Sequence, residues 1–190
     1  MYVCGKNAAT PANAAIHPIS DTQSLINTIQ NLTANHAIDA VIHAMAVSDY
    51  TVTAAADTSH VKHCNSLADS IKAADLRSKS NGKISSDVNA IVLLLKRTPK
   101  VIRMLRGFAP NAVLVGFKLL QNVPRGTLID AAQNLLTTND CDFVLANDGA
   151  QISGDKHVGF LLDRNGGYTQ YNTKTEIAAA IVAAVVHHPA

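Results

Sequence analysis

The sequence predicts an α/β fold in which a mainly parallel sheet is sandwiched in three layers, and three observations carry that expectation. Apolar runs of strand length alternate with segments whose apolar residues recur at helical spacing. The runs at 40–46 and 112–117 are nearly continuous in apolar residues, as strands covered on both faces must be. Glycine, proline, asparagine and aspartate gather at the junctions, where tight turns require them. With 190 residues, 47% apolar and 16% charged, the chain can bury a sizeable core.

The elements follow in order. Residues 2–5 read as a strand closing on Gly5, and 16–19 as a second extended segment. Ser20 and Asp21 are candidate caps, since their side-chain oxygens can accept from unpaired backbone N–H groups. Behind them Leu25, Ile29 and Leu32, with Ile26 alongside, define an amphipathic helix to about His36. Residues 40–46 form a buried parallel strand. The polar, alanine-rich stretch 51–81 has no clear period, although 67–76 suits a helix. Two strands are expected at 82–86 and 90–95. Pro99 opens a helix through Phe108, because proline's missing N–H would be unpaired there anyway. Then come a strand at 112–117, a helix at 128–136 and a strand at 141–146. A hairpin turns on Asn165-Gly166-Gly167, and Ile177, Ile181 and Val185 line a final helix.

Composition excludes several classes. Aromatic content is 4%, without tryptophan, and the formal charge of +2 comes without a Lys/Arg block, so a nucleic-acid partner is not expected. No apolar run approaches the roughly 20 residues that span a bilayer. Cys4, Cys64 and Cys141 show no CxxC spacing, and the N-terminus lacks a secretion pattern, which points to a reduced, cytoplasmic setting. Neither a dinucleotide fingerprint nor a Walker loop is present. His60-x-x-His63-Cys64 offers metal-ligand types without a second pair at zinc spacing, so no metal is expected on protein side chains. Ser85 and Ser86 have no nearby histidine to activate them.

In open α/β sheets ligands bind at the carboxyl ends of strands. Three such ends carry polar groups here: Ser48-Asp49-Tyr50, Lys118, and Asn147-Asp148-Gly149. Each alone is equally explained by turn chemistry. With two further segments they form an ordered series: Ala44-Met45-Ala46-Val47-Ser48-Asp49-Tyr50, Gly82-Lys83-Ile84-Ser85-Ser86, Thr98-Pro99-Lys100-Val101-Ile102, Leu114-Val115-Gly116-Phe117-Lys118-Leu119, and Cys141 through Asp148. This series resembles the phosphopantothenoylcysteine synthetases (phosphopantothenate–cysteine ligases), and is most similar to the stand-alone type.

The resemblance implies a Rossmann-like domain over 1–190, with 51–98 as an inserted β-hairpin or flap that serves dimerisation. It implies a ligase that activates phosphopantothenate with CTP or ATP and Mg²⁺, then couples cysteine. The active form would be a homodimer. Lys83 matches the lysine that meets the phosphates or the acyl-nucleotidylate, and Asp49 an aspartate that binds the nucleotide. Pro99, Lys100, Val101 and Ile102 match a nucleotide-contacting helix start. Phe117 matches an aromatic beside the nucleotide, and His43, Ala44 and Met45 a backbone strip beside the base. Asn147 is a candidate substrate contact that would equally serve to orient its loop. Two departures accompany the match. The family's opening Gly-Gly-Thr turn and Asn-x-Ser segment, about forty residues judged by a strand–loop–helix unit, have no counterpart in the sequence, which predicts a sheet lacking a central strand. Leu135 and Asn139 stand where decarboxylase-fused relatives carry lysines. A catalytically silent nucleotide-binding or dimer-forming remnant is the alternative, and an unrelated NAD-type domain a more distant one.

Overall fold

The structure, a computed structural model, describes residues 1–61, 66–76 and 86–188. The chain forms two compact units, one comprising Met1–Ala46 with Lys100–Ala190, the other Val47–Pro99.

In the first unit, β1 (Tyr2–Gly5) and β2 (Ile16–Ile19) form a parallel pair. Helix α1 (Thr22–Asn35) starts where expected: Asp21 Oδ1 accepts from Ser24 N at 2.8 Å, while Ser24 Oγ accepts from Asp21 N at 3.0 Å. This reciprocal cap satisfies backbone donors that the first turn leaves unpaired. Leu25, Ile26 and Leu32 are its buried face.

A five-stranded sheet follows in the order β3-β6-β7-β8-β9, with β3 (Ala40–His43), β6 (Val113–Leu120) and β7 (Phe143–Ser153) parallel. β8 (Lys156–Asp163) and β9 (Tyr168–Thr173) add on antiparallel. Their hairpin turns at Gly166, whose φ of 82° lies in the left-handed region that glycine enters without a Cβ clash. Layers cover both faces. On one side lie α3 (Ile102–Phe108) and α4 (Arg125–Thr138); on the other, Ile177 and Ile181 of α5 (Lys174–Val186) pack on Val115 and Leu145. The layer of α3 and α4 needs Gly116. A Cβ there would meet Leu135 Cδ2 at 2.9 Å, closer than real Cβ atoms approach, and Ile102 Cδ1 at 3.1 Å, tight enough that the neighbour must give way.

The second unit is an antiparallel ribbon of β4 (Tyr50–Asp57) and β5 (Ile91–Arg97), with α2 (Leu67–Ala73) against one face. Ala54, Ala56, Ile71 and Ala74 are its small core.

Several expectations need correcting. The strand expected at 40–46 stops at His43, and it is not buried: it is an outer strand with Ile42 49% exposed, because none of the described strands pairs with its other edge. Pro99 precedes the helix instead of opening it, since α3 begins at Ile102 with Val101 as its cap. The stretch without a period conceals β4. The strand at 82–86 falls outside the described residues except for Ser86, which lies in a turn. No helix among the described residues is long and apolar enough to cross a membrane.

Candidate functional site

The parallel strands of the first unit end in steps: β3 closes at His43, while β6 runs on to Leu120, paired with Asp148 of β7. His43 closes β3 opposite Gly116 of β6, so the following Ala44 and Met45 leave the sheet beside Phe117. Ile102, at the start of α3, lies over the same Gly116. Three sequence-predicted stretches therefore converge at one strand edge: 43–45, 101–102 and 117. Val101 and Leu105 are buried and anchor that short helix. Burial lowers the pKa of His43 below its ordinary 6.5, since desolvation penalises the imidazolium, and the ring is neutral at pH 7.

The neighbouring strand ends add two groups. Asn147 is buried, and its Nδ2 donates to Val158 O at 3.2 Å, so its amide holds β7 against β8. Asp148, equally buried, accepts from Asn122 N at 2.7 Å, Val123 N at 3.1 Å and Ala150 N at 2.9 Å. These backbone donors hold its carboxyl below the usual range. Its role is to fold the loop leaving β6, where Asn122 takes φ 52°. Sequence reasoning quoted Asp148 without giving it this task. The signal was an aspartate directly after a buried strand end, a position that favours backbone acceptors.

Phe117 does not stand out from the sheet. Its ring packs with the Val115, Leu145, Ile177 and Ile181 cluster, half-buried on the α5 face. Leu135 and Asn139, which stand where decarboxylase-fused relatives carry lysines, have packing roles. Leu135 abuts Gly116, and Asn139 caps α4 with Nδ2 donating to Leu135 O at 2.7 Å.

Asp49 and Pro99 belong to the second unit, at the base of the ribbon. Thr98 N donates to Asp49 O at 2.9 Å, the Thr98 hydroxyl donates to Ser48 O, and Tyr50 faces Arg97 in the ladder. The two passages of the chain into and out of the ribbon are thus tied together. Asp49 and Pro99 are exposed there, as is Lys100, where the first unit resumes. Lys83 lies outside the described residues, as do His63 and Cys64. Among the described residues no three His, Cys, Asp or Glu side chains are grouped to hold a metal.

The opposite, amino end of the sheet has a cleft of about 730 Å³ lined by Arg106, Asp140, Asp142 and Arg164. Its charges are committed to one another. Asp142, 7% exposed, accepts from Arg106 Nη2 at 2.8 Å and Leu114 N at 2.7 Å, and Arg164 Nε lies 3.0 Å away. Arg106 also donates to Ala112 O at 2.8 Å and Asp140 O at 2.8 Å. This network ties α3 to β6 and β7, and we read it as structural. The neighbouring Cys141 thiol is pushed up to about 11 by burial, which leaves it unreactive.

A family model described as the DNA/pantothenate metabolism flavoprotein C-terminal domain matches residues 1–188. The crystal structure of the DNA/pantothenate metabolism flavoprotein from Streptococcus pneumoniae superposes with a TM-score of 0.84 at 31% identity, over 98% of this chain and 80% of that one. The C-terminal domain of the coenzyme A biosynthesis bifunctional protein CoaBC gives a TM-score of 0.63 at 14% identity, over 96% of this chain and 70% of that one. A Cab2 mutant in complex with phosphopantothenate-cysteine gives 0.59 at 16% identity, over 90% and 51%. These last two are likenesses of fold alone. The bifunctional CoaBC protein of Methanocaldococcus jannaschii is 35% identical over 78 residues, which is 40% of this chain and only 19% of that relative's length.

Proposed function

The chain belongs to the family of the DNA/pantothenate metabolism flavoprotein C-terminal domain, and from that premise we propose that it acts in coenzyme A synthesis as a phosphopantothenate–cysteine ligase. The substrate carboxylate attacks the α-phosphate of CTP or ATP and pyrophosphate leaves. The amine of cysteine then attacks the acyl carbon of the acyl-nucleotidylate, forming the amide and releasing the nucleoside monophosphate. The observation that carries this reading is the meeting of His43 with Gly116, Phe117 and Ile102 at the carboxyl end of β3, the kind of edge where open α/β sheets bind ligands. The phosphopantothenate-cysteine held by the Cab2 mutant supports the substrate class.

In this proposal the backbone of His43, Ala44 and Met45 lies along the base, and the exposed carboxylate of Asp49 accepts from ribose hydroxyls, as a diol requires. Pro99, Lys100, Val101 and Ile102 meet the nucleotide, and Phe117 contacts it through the edge of a ring that is otherwise core. Asn147 is a substrate contact only through what its Val158 hydrogen bond leaves over. Lys83 neutralises the phosphates and the reacting intermediate. Mg²⁺ would be carried by the phosphates themselves, as it commonly is with nucleotides.

We further propose a cytoplasmic homodimer. Its support is the ribbon face away from α2, where Val52, Ile91, Leu93 and Leu95 are 38–51% exposed, an apolar stripe of the kind that protein interfaces cover.

The test is pyrophosphate release by the full chain with Mg²⁺ and either CTP or ATP. Release that requires phosphopantothenate, with an amide product that requires cysteine, is the expected result. Nucleotide binding without any pyrophosphate would remove the ligase reading and leave a silent binding protein. Lys83→Ala should lower turnover by on the order of 100-fold, the scale of a lost transition-state charge partner, with an unchanged circular dichroism melt. Undiminished turnover would take Lys83 out of the mechanism.

A further inference from the structure

Among the described residues, Lys6, Lys72, Lys96, Lys100, Lys156 and Lys174 are exposed, and Lys118 alone of the lysines is half-buried. Gly116 of β6 faces Ile102 and Leu135, whereas Val115 packs with Ile177. Alternation along the strand therefore brings the Lys118 side chain out on the face of α3 and α4. It stands one same-face position beyond Gly116, about 7 Å further toward the carboxyl end.

At that level the sheet has a step. β3 pairs with β6 only as far as His43 and Gly116, so on that side none of the described strands flanks Lys118. On the other side its partner is Ala146, buried, with a methyl group that offers nothing polar. Among the described residues no group hydrogen-bonds or ion-pairs with the Lys118 ammonium. Asp148, level with Leu120 on β7, is held by Ala150 N, Asn122 N and Val123 N, the donors that lower its pKa. Other cations of this unit are engaged: Arg106 and Arg164 with Asp142, and Arg125 over the rings of Phe160 and Tyr168. A half-buried ammonium gains most from an anion, because partial removal from water strengthens their attraction.

We propose that Lys118 is a phosphate-binding residue: at the step beside the end of β3, its ammonium holds an anionic oxygen of the nucleotide's phosphate chain. This rests on the reading of that edge as a nucleotide site. The phosphate of phosphopantothenate has the same chemistry, but Lys118 shares a face with Ile102, which that reading sets against the nucleotide. A lysine suits the task, since its flexible stem lets one compact charge follow a phosphate chain.

The test compares the full chain with Lys118→Met, which keeps the length of the stem and removes the charge. CTP or ATP, the matching nucleoside, and phosphopantothenate are titrated separately by calorimetry in the presence of Mg²⁺. Lys118→Met should weaken triphosphate binding about tenfold, the scale of one hydrogen bond to a charged group, with nucleoside binding and the melt unchanged. The loss should shrink at high salt, and Lys118→Arg should retain most of the affinity. A second measurement needs no variant. Saturating triphosphate should slow acetylation of Lys118 in the native chain but not of Lys174, at the start of α5, as read by peptide mass mapping. Equal triphosphate affinities, or acetylation of Lys118 that the nucleotide does not slow, would overturn the proposal and leave the nucleotide site standing. A loss confined to phosphopantothenate would give the charge to that substrate and overturn it as well. A native chain that binds no triphosphate would remove the nucleotide reading itself, and the role of Lys118 with it.

Discussion

The two ends of β6 and β7 differ in what their polar groups hold. At the amino end the Asp142 carboxylate is buried between two arginines, and every strong donor around it is engaged with another part of the fold. At the carboxyl end the Asp148 carboxylate holds only backbone, the loop at 122–123 and the turn at 150. One end joins α3, β6 and β7 through side-chain charge; the other shapes loops and leaves its strand edge open. In an α/β sheet that asymmetry divides the labour: the charge-paired end supplies stability, and the loop-bearing end is available for chemistry.

Substitution should expose the difference. Asp142→Ala leaves two guanidinium groups facing each other and strips Leu114 N–H of its acceptor. It should cost about 3 kcal/mol in urea unfolding, the lower end for breaking a buried pair, because Arg164 is partly solvated. Asp148→Ala should act locally instead, with faster amide exchange at Asn122 and Val123 and a smaller shift of the global midpoint. Equal midpoint shifts would abolish the distinction between the ends. Gly116→Ala forces a methyl against Leu135 and Ile102 and should cost about 2 kcal/mol, the usual scale of overpacking.

The smallest effect concerns pH. His43 has a lowered folded pKa, so the fold prefers the neutral ring. Its contribution is present above the ordinary value of 6.5 and is lost as pH falls from there through the depressed folded value. The melting temperature of the native chain should therefore drop more between pH 7 and pH 5 than that of His43→Asn. Parallel curves would show that His43 is not desolvated in solution.

Local rules explain which parts of this were readable. The α1 cap, the hairpin at Gly166 and the apolar strands of the sheet each rest on residues within a few positions of one another. β4 does not. Thr51-Val52-Thr53 and the alanines after it have no strand signature alone, and become a strand by pairing with β5, as in Thr53 Oγ1 to Leu94 O across 41 residues. The late start of α3 has the same origin, because Thr98 is drawn into its bonds with Ser48 and Asp49. The Asp142 network draws on partners 28 and 36 residues away and has no local sign. For the site, ordered short motifs led to the strand edge that holds 43–45, 101–102 and 117, but not to the side to which Phe117 turns, nor to the task of Asp148.

Hydrogen exchange of the full chain with and without Mg²⁺ and CTP, or ATP, bears most directly on which end works. The account predicts slowed exchange at 43–49, 100–102 and 117, with the amides around Arg106, Asp140 and Arg164 unchanged. Protection confined to that arginine-lined amino end would contradict it.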